Sequence, residues 1–115
     1  MSKVTNLKIA KYFFTEIDQD GFKFFKLPYD MSRKLGFSLT SLDGSSLMFD
    51  KSWDWMMPIV DMIESEGYYV TISFYEIVIR KHSEIVLKQS VTTTKLSAMN
   101  KLTTRYISYV NNSSN

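Results

Sequence analysis

Ser52-Trp-Asp-Trp-Met-Met-Pro-Ile-Val-Asp-Met-Ile-Glu64 is the stretch on which the fold turns. Trp53, Met56, Met57, Val60 and Ile63 recur at helical spacing, which places them on one face of an α-helix. Such a stripe needs an apolar surface to lie on, so the segment predicts a helix from about Ser52 to Glu66 packed over a sheet, with Trp53 and Val60 buried. Ser52 suits the N-cap, Asp54 in the first turn favours the helix dipole, and Gly67 suits the residue after the C-cap. Pro58 removes one backbone hydrogen bond and crowds the preceding turn. It predicts a kink, or a regular helix that begins only near Met57. Trp55, Ile59 and Met62 lie off the stripe. Two readings of them stand: a helix buried on both sides beneath residues 31–49, or a partner-binding patch in which Asp54 and Asp61 flank the three apolar residues.

Working outward, Tyr68-Tyr-Val-Thr-Ile-Ser-Phe74 alternates, with Val70, Ile72 and Phe74 on one side and Tyr69, Thr71 and Ser73 on the other. Glu76–Arg80 and Glu84–Lys88 are rich in β-branched residues and separated by Lys81-His-Ser83, which predicts an antiparallel meander. A last helix starts near Thr93 or Thr94 with Met99, Leu102, Tyr106 and Val110 as its apolar stripe. A first helix, capped by Asn6, carries Leu7, Ile9, Ala10, Phe13, Phe14 and Ile17 and ends at Asp18-Gln-Asp-Gly21. Phe22–Leu27 reads as a short strand. Phe37–Thr40 and Ser46–Phe49 read as strands joined at Asp43-Gly44, or as a long loop packing Phe37, Leu39, Leu47 and Phe49 on the domain. The fold expected is α+β: one antiparallel sheet of three to four strands flanked by three helices. It forms one domain over residues 1–110, with a flexible polar tail at 111–115.

The 115 residues contain no cysteine and one histidine, His82. That removes thiolate chemistry, disulfides and cysteine-based metal sites. Asp18-Gln-Asp-Gly21 looks like the start of a calcium loop, but Tyr29 falls at the twelfth position, where an acidic ligand belongs. The four glycines are too scattered for a phosphate loop. No catalytic residues, metal or cofactor are therefore assigned. No apolar run is long enough for a membrane span, and the N-terminus lacks a signal peptide, so a cytoplasmic protein is expected.

The net charge of +2 is unevenly spread. Residues 51–66 set Lys51 against Asp54, Asp61, Glu64 and Glu66. Residues 76–115 set Arg80, Lys81, Lys88, Lys95, Lys101 and Arg105 against Glu76 and Glu84. Arg80, Lys81, Lys88, Lys101 and Arg105, together with Tyr75, Tyr106 or Tyr109, make a candidate nucleic-acid surface, because cations neutralise phosphates and aromatic rings stack on bases. The other reading is a basic face that balances the acidic helix.

The run Ser52–Glu64 resembles a motif of small uncharacterised proteins from phages and Bacteroides-type bacteria, where it takes the form S-W-D-W-L-M-P-V-V-E-K-I-E. Asn6-Leu-Lys-Ile-Ala-Lys-Tyr-Phe13 is similar to the opening helix of those proteins, which contains N-x-x-I-A-x-F/Y. Ala98 through Tyr109-Val-Asn111 is similar to their closing helix. Such proteins are similar to those classed as the phage ABA-sandwich domain, in which helices flank a small antiparallel sheet. Residues 22–49 are mostly unmatched, and the basic meander and the stretch 31–48 depart from the pattern. The resemblance implies no reaction and no catalytic residue. It implies a phage or prophage accessory protein that acts by binding. One expectation is an inhibitor of a bacterial defence system with a host protein as its partner. The alternative is a nucleic-acid-binding module built on the basic C-terminal third.

Overall fold

A computed structural model describes residues 2–113 of the chain. Helix α1 (Ser2–Phe13) is followed by strands β1 (Thr15–Gln19) and β2 (Phe22–Lys26), helix α2 (Tyr29–Leu35) and strand β3 (Leu39–Ser41). Helix α3 (Trp53–Ser65), strands β4 (Tyr69–Ile72), β5 (Glu76–Lys81) and β6 (Glu84–Ser90), and helix α4 (Lys95–Ser113) complete it. The fold is α+β with antiparallel strands, as expected. Among the described residues the strands form two three-stranded sheets rather than one, ordered β1-β2-β3 and β4-β5-β6, and there are four helices rather than three.

The differences arise in the first half of the chain. The first helix stops at Phe13, and Ile17 lies in a strand. Asp20 and Gly21 have φ of 54° and 84° and bring Gln19 opposite Phe22, a two-residue hairpin turn. Asp-Gly is well suited to a turn with two left-handed residues, so it closes a hairpin here instead of ending a helix. The strand at 22–26 therefore pairs with its own hairpin partner and with β3, not with the meander. Asn6 is an interior residue of α1, not a cap. Its amide donates to the Leu47 carbonyl at 3.1 Å and to Asp50 at 2.9 Å, which ties the loop after β3 to the helix. Residues 46–49 form no strand, and Leu47 and Phe49 are buried from a loop, whereas Leu39 and Thr40 lie in β3 and Phe37 is 42% exposed, so each of the two readings holds in part. At the other end α4 includes Asn111, Asn112 and Ser113, so the expected tail begins as helix, and residues 114 and 115 lie outside the described residues.

The second half follows its local signals. The Ser52 hydroxyl accepts the Asp54 N–H at 3.2 Å, Gly67 takes φ of 102° after the helix, and α3 runs unbroken through Pro58 from Trp53. The Thr94 hydroxyl accepts the Ser97 N–H at 3.0 Å and caps α4. His82 and Ser83 both have positive φ, 53° and 72°, and join β5 to β6 as a two-residue turn.

One core draws on all four helices and both sheets, with Ile9, Phe25, Met31, Ile59, Ile79 and Leu102 among its members. Helix α3 packs on β4, and α4 packs on β5 and β6, with α1 against α4 and α2 against α3. Val60 is buried as expected, but Trp53 is only half-buried, and the interior tryptophan is Trp55. Its ring meets Phe49 edge-on at 5.4 Å and lies 6.0 Å from Phe37. Phe37 and Phe49 thus cover the side of α3 that carries Trp55, while the flank with Trp53 and Met57 meets solvent, so the helix is buried on one of its two apolar sides and not on both. Met57, on the predicted stripe, is exposed instead.

Candidate functional site

The burial of Trp55 and Ile59 dissolves the expected partner patch. Neither side chain has surface to offer, and of the three apolar residues only Met62 remains partly accessible. Asp54 and Asp61 are exposed, with Asp54 paired to Lys34 of α2 at 3.3 Å.

The basic residues fare differently. Cross-strand partners share a face of a sheet. Tyr69 pairs with Arg80, Thr71 with Val78, Val78 with Lys88, and Arg80 with Ile85. Ile77 and Ile79 point the other way, into the core beneath α3 and α4. Tyr69, Thr71, Arg80, Ile85 and Lys88 therefore stand together on the outer face of the second sheet. Tyr69 is 67% exposed and Ile85 55% exposed, so the face is uncovered. Val78 lies beneath these longer neighbours, buried yet outside the main core. Arg80 donates to the Thr71 hydroxyl at 3.4 Å, which holds its guanidinium along the sheet.

Around the β6 edge the basic surface continues onto α4. The Arg105 guanidinium donates to the Lys88 carbonyl at 2.6 Å and to the Gln89 side chain at 3.0 Å, closing the free edge of that strand. At the opposite edge the Glu64 carboxylate accepts the Val70 N–H at 3.2 Å. Lys101 is exposed one turn before Arg105. Arg80, Lys88, Arg105 and Lys101 thus form a band on one face and one edge. Lys81 does not join it: its ammonium sits 5.0 Å from the centre of the Tyr68 ring, on the other side of β5. Of the tyrosines named with this surface, Tyr106 is buried and Tyr109 half-buried, while Tyr75 is exposed with Phe74 at the β4–β5 turn. Tyr69 and Ile85 were absent from the predicted surface. The alternation of 68–74 puts Tyr69 on the side opposite Val70 and Ile72, but only the register sets it beside Arg80.

The most strongly coupled polar group lies elsewhere. Glu66, just past α3, accepts hydrogen bonds from Tyr12 of α1, at 3.0 Å, and from Tyr106 of α4. Burial, the hydrogen bond to Glu66 and the Glu66 charge push the Tyr12 phenol up to about 12 and raise Tyr106 further. Phenols held protonated so firmly neither give nor take a proton near neutrality, so the cluster serves as a clasp between three helices. Because these values are raised in the fold, the stability they carry is complete below the ordinary tyrosine value of about 10 and is lost as the pH rises through the folded value. The melting temperature is expected to be level from neutrality to about pH 9 and to fall above about pH 10, with a shallower fall in Tyr12→Phe. Equal slopes for the two proteins would show that the clasp carries no such linkage.

Among the described residues no group of three or more His, Asp or Glu side chains converges to hold a metal ion, and no helix is long and apolar enough to cross a membrane. His82 is exposed in its turn. The buried Thr40 hydroxyl of β3 finds no partner among the described residues. Comparison with protein-family models, with curated proteins and with solved structures finds no match for this chain.

Proposed function

We propose that the protein is a non-enzymatic binding protein whose outer face on the second sheet takes single-stranded nucleic acid. The observation that carries this reading is the pairing of exposed Tyr69 with Arg80 on an uncovered sheet face, with Lys88 on the same face and Arg105 and Lys101 around its edge. An aromatic ring stacks on any base, and cations spaced along a strand and a helix follow a phosphate backbone. Trp55 takes no part in capturing a protein, because its ring is interior. Within the phage setting that the Trp-Asp-Trp resemblance implies, capture of a strand is one way such a protein would act against a host defence system.

The test is fluorescence anisotropy with labelled oligothymidylate over a range of salt. Four phosphate contacts predict a log–log salt slope of about −3, an affinity loss of about fiftyfold between about 50 mM and about 200 mM salt. Lys88→Glu and Arg80→Glu should each weaken binding and flatten the slope, and Tyr69→Ala should cost about 1–3 kcal/mol. Absence of binding at low salt, or affinity unchanged in Arg80→Glu, would overturn the assignment.

A further inference from the structure

Helices α2 and α3 lie side by side and leave between them a groove of about 430 Å³. Met31, Met57 and Met62 supply its apolar lining, with Pro28 and Pro58 at the walls. Met31 closes the bottom, and Met57 rises along one side, 39% exposed. Methionine is flexible and polarizable, and it moulds to an incoming apolar side chain without one fixed shape. The rim is acidic. Asp30 and Asp61 line it, and the only cation among the lining residues, Lys34, is already paired with Asp54.

We propose that this groove takes a short cationic amphipathic helix of a partner protein, its apolar side chains set among Met57, Met62 and Met31 and its Lys or Arg residues at Asp30 and Asp61. Charge complementarity selects that occupant. The chain as a whole is positive, and a cationic segment that settles here must be drawn by this local acidic rim. A floor of methionines between two helices suits the apolar face of a third. The groove shares no residue with the sheet face, and its negative rim repels the nucleic acid proposed to bind there, so the two sites stand or fall separately.

The experiment uses the whole chain with its methionine methyl groups labelled with carbon-13, titrated with a synthetic Leu/Lys peptide of about four helical turns. The Met57 and Met62 signals are expected to shift while those of Met48, exposed elsewhere, and Met99, in the core, stay in place. Asp61→Lys and Met57→Lys, both at exposed positions and so expected to fold, should weaken the peptide by about tenfold or more, and Arg80→Glu should leave it unchanged. The matching Leu/Glu peptide should produce no shifts. The proposal is overturned by no shift at about millimolar peptide, by shifts of equal size at Met48 and Met99, by equal response to the Leu/Glu peptide, or by undiminished binding to Asp61→Lys.

Discussion

Val60→Asp is expected to be unfolded at room temperature. Val60 is 4% exposed on the core side of α3, one turn from Met56 and Ile63 of the same buried surface. No arginine, lysine or histidine belongs to that core, so a carboxylate placed there enters without a counter-charge. An unpaired buried charge costs several kcal/mol, and a domain of this size is held by only about 5–15 kcal/mol in all. The next residue supplies the control. Asp61 is exposed, and Asp61→Lys should move stability by no more than about 0.5 kcal/mol. Circular dichroism and thermal melting of the two proteins make the comparison. A cooperative, near-normal melt for Val60→Asp would mean that α3 does not present this face to the core.

Trp55→Ala should lower the melting temperature by roughly 10–20 °C, the equivalent of a cost of about 3–5 kcal/mol for emptying a large aromatic site. The ring is 5% exposed and wedged between Phe49 and Phe37, both supplied by the segment that follows α2. Phe49 is itself fully buried and packed on Phe14, so it cannot readily move into the space left behind. Below its melting temperature the variant should bind oligothymidylate as the unaltered chain does, since Trp55 lies in the core and not on the sheet face. A melting temperature within about 2 °C of the unaltered chain would place Trp55 at the surface and return it to the partner patch.

These two residues mark how far periodicity reaches. Helical spacing identified α3, its cap at Ser52 and its end before Gly67. It also identified Met56, Val60 and Ile63 as interior, because those three lie on the line shared by both apolar strips. It could not decide which flank of that line meets water. Trp53 and Met57 lie on one side, Trp55 and Ile59 on the other, and their hydrophobicity is similar. The choice is made by Phe37 and Phe49, which close over the Trp55 side.

What this sequence determined by itself is local. The cap at Ser52, a helix start near Thr93 or Thr94, a turn within Lys81-His-Ser83 and the three strands of the meander each rest on hydrogen bonds or steric preferences within a few residues, which a short window contains. Only the tertiary structure decided that Asp20-Gly21 closes a hairpin, that the strands divide into two sheets, that α2 forms before β3, and that Arg80 stands with Tyr69 and Lys88 while Lys81 turns to Tyr68. Contacts between distant parts of the chain carry those decisions. Asn6 meets Leu47 across 41 positions and Asn100 across 94, and Glu66 binds tyrosines 54 and 40 positions away. Each of these trades the entropy of closing a long loop for a hydrogen bond, buried at Asn6 and partly or fully exposed at Glu66, a balance set by the whole packed chain and not by any one segment of it.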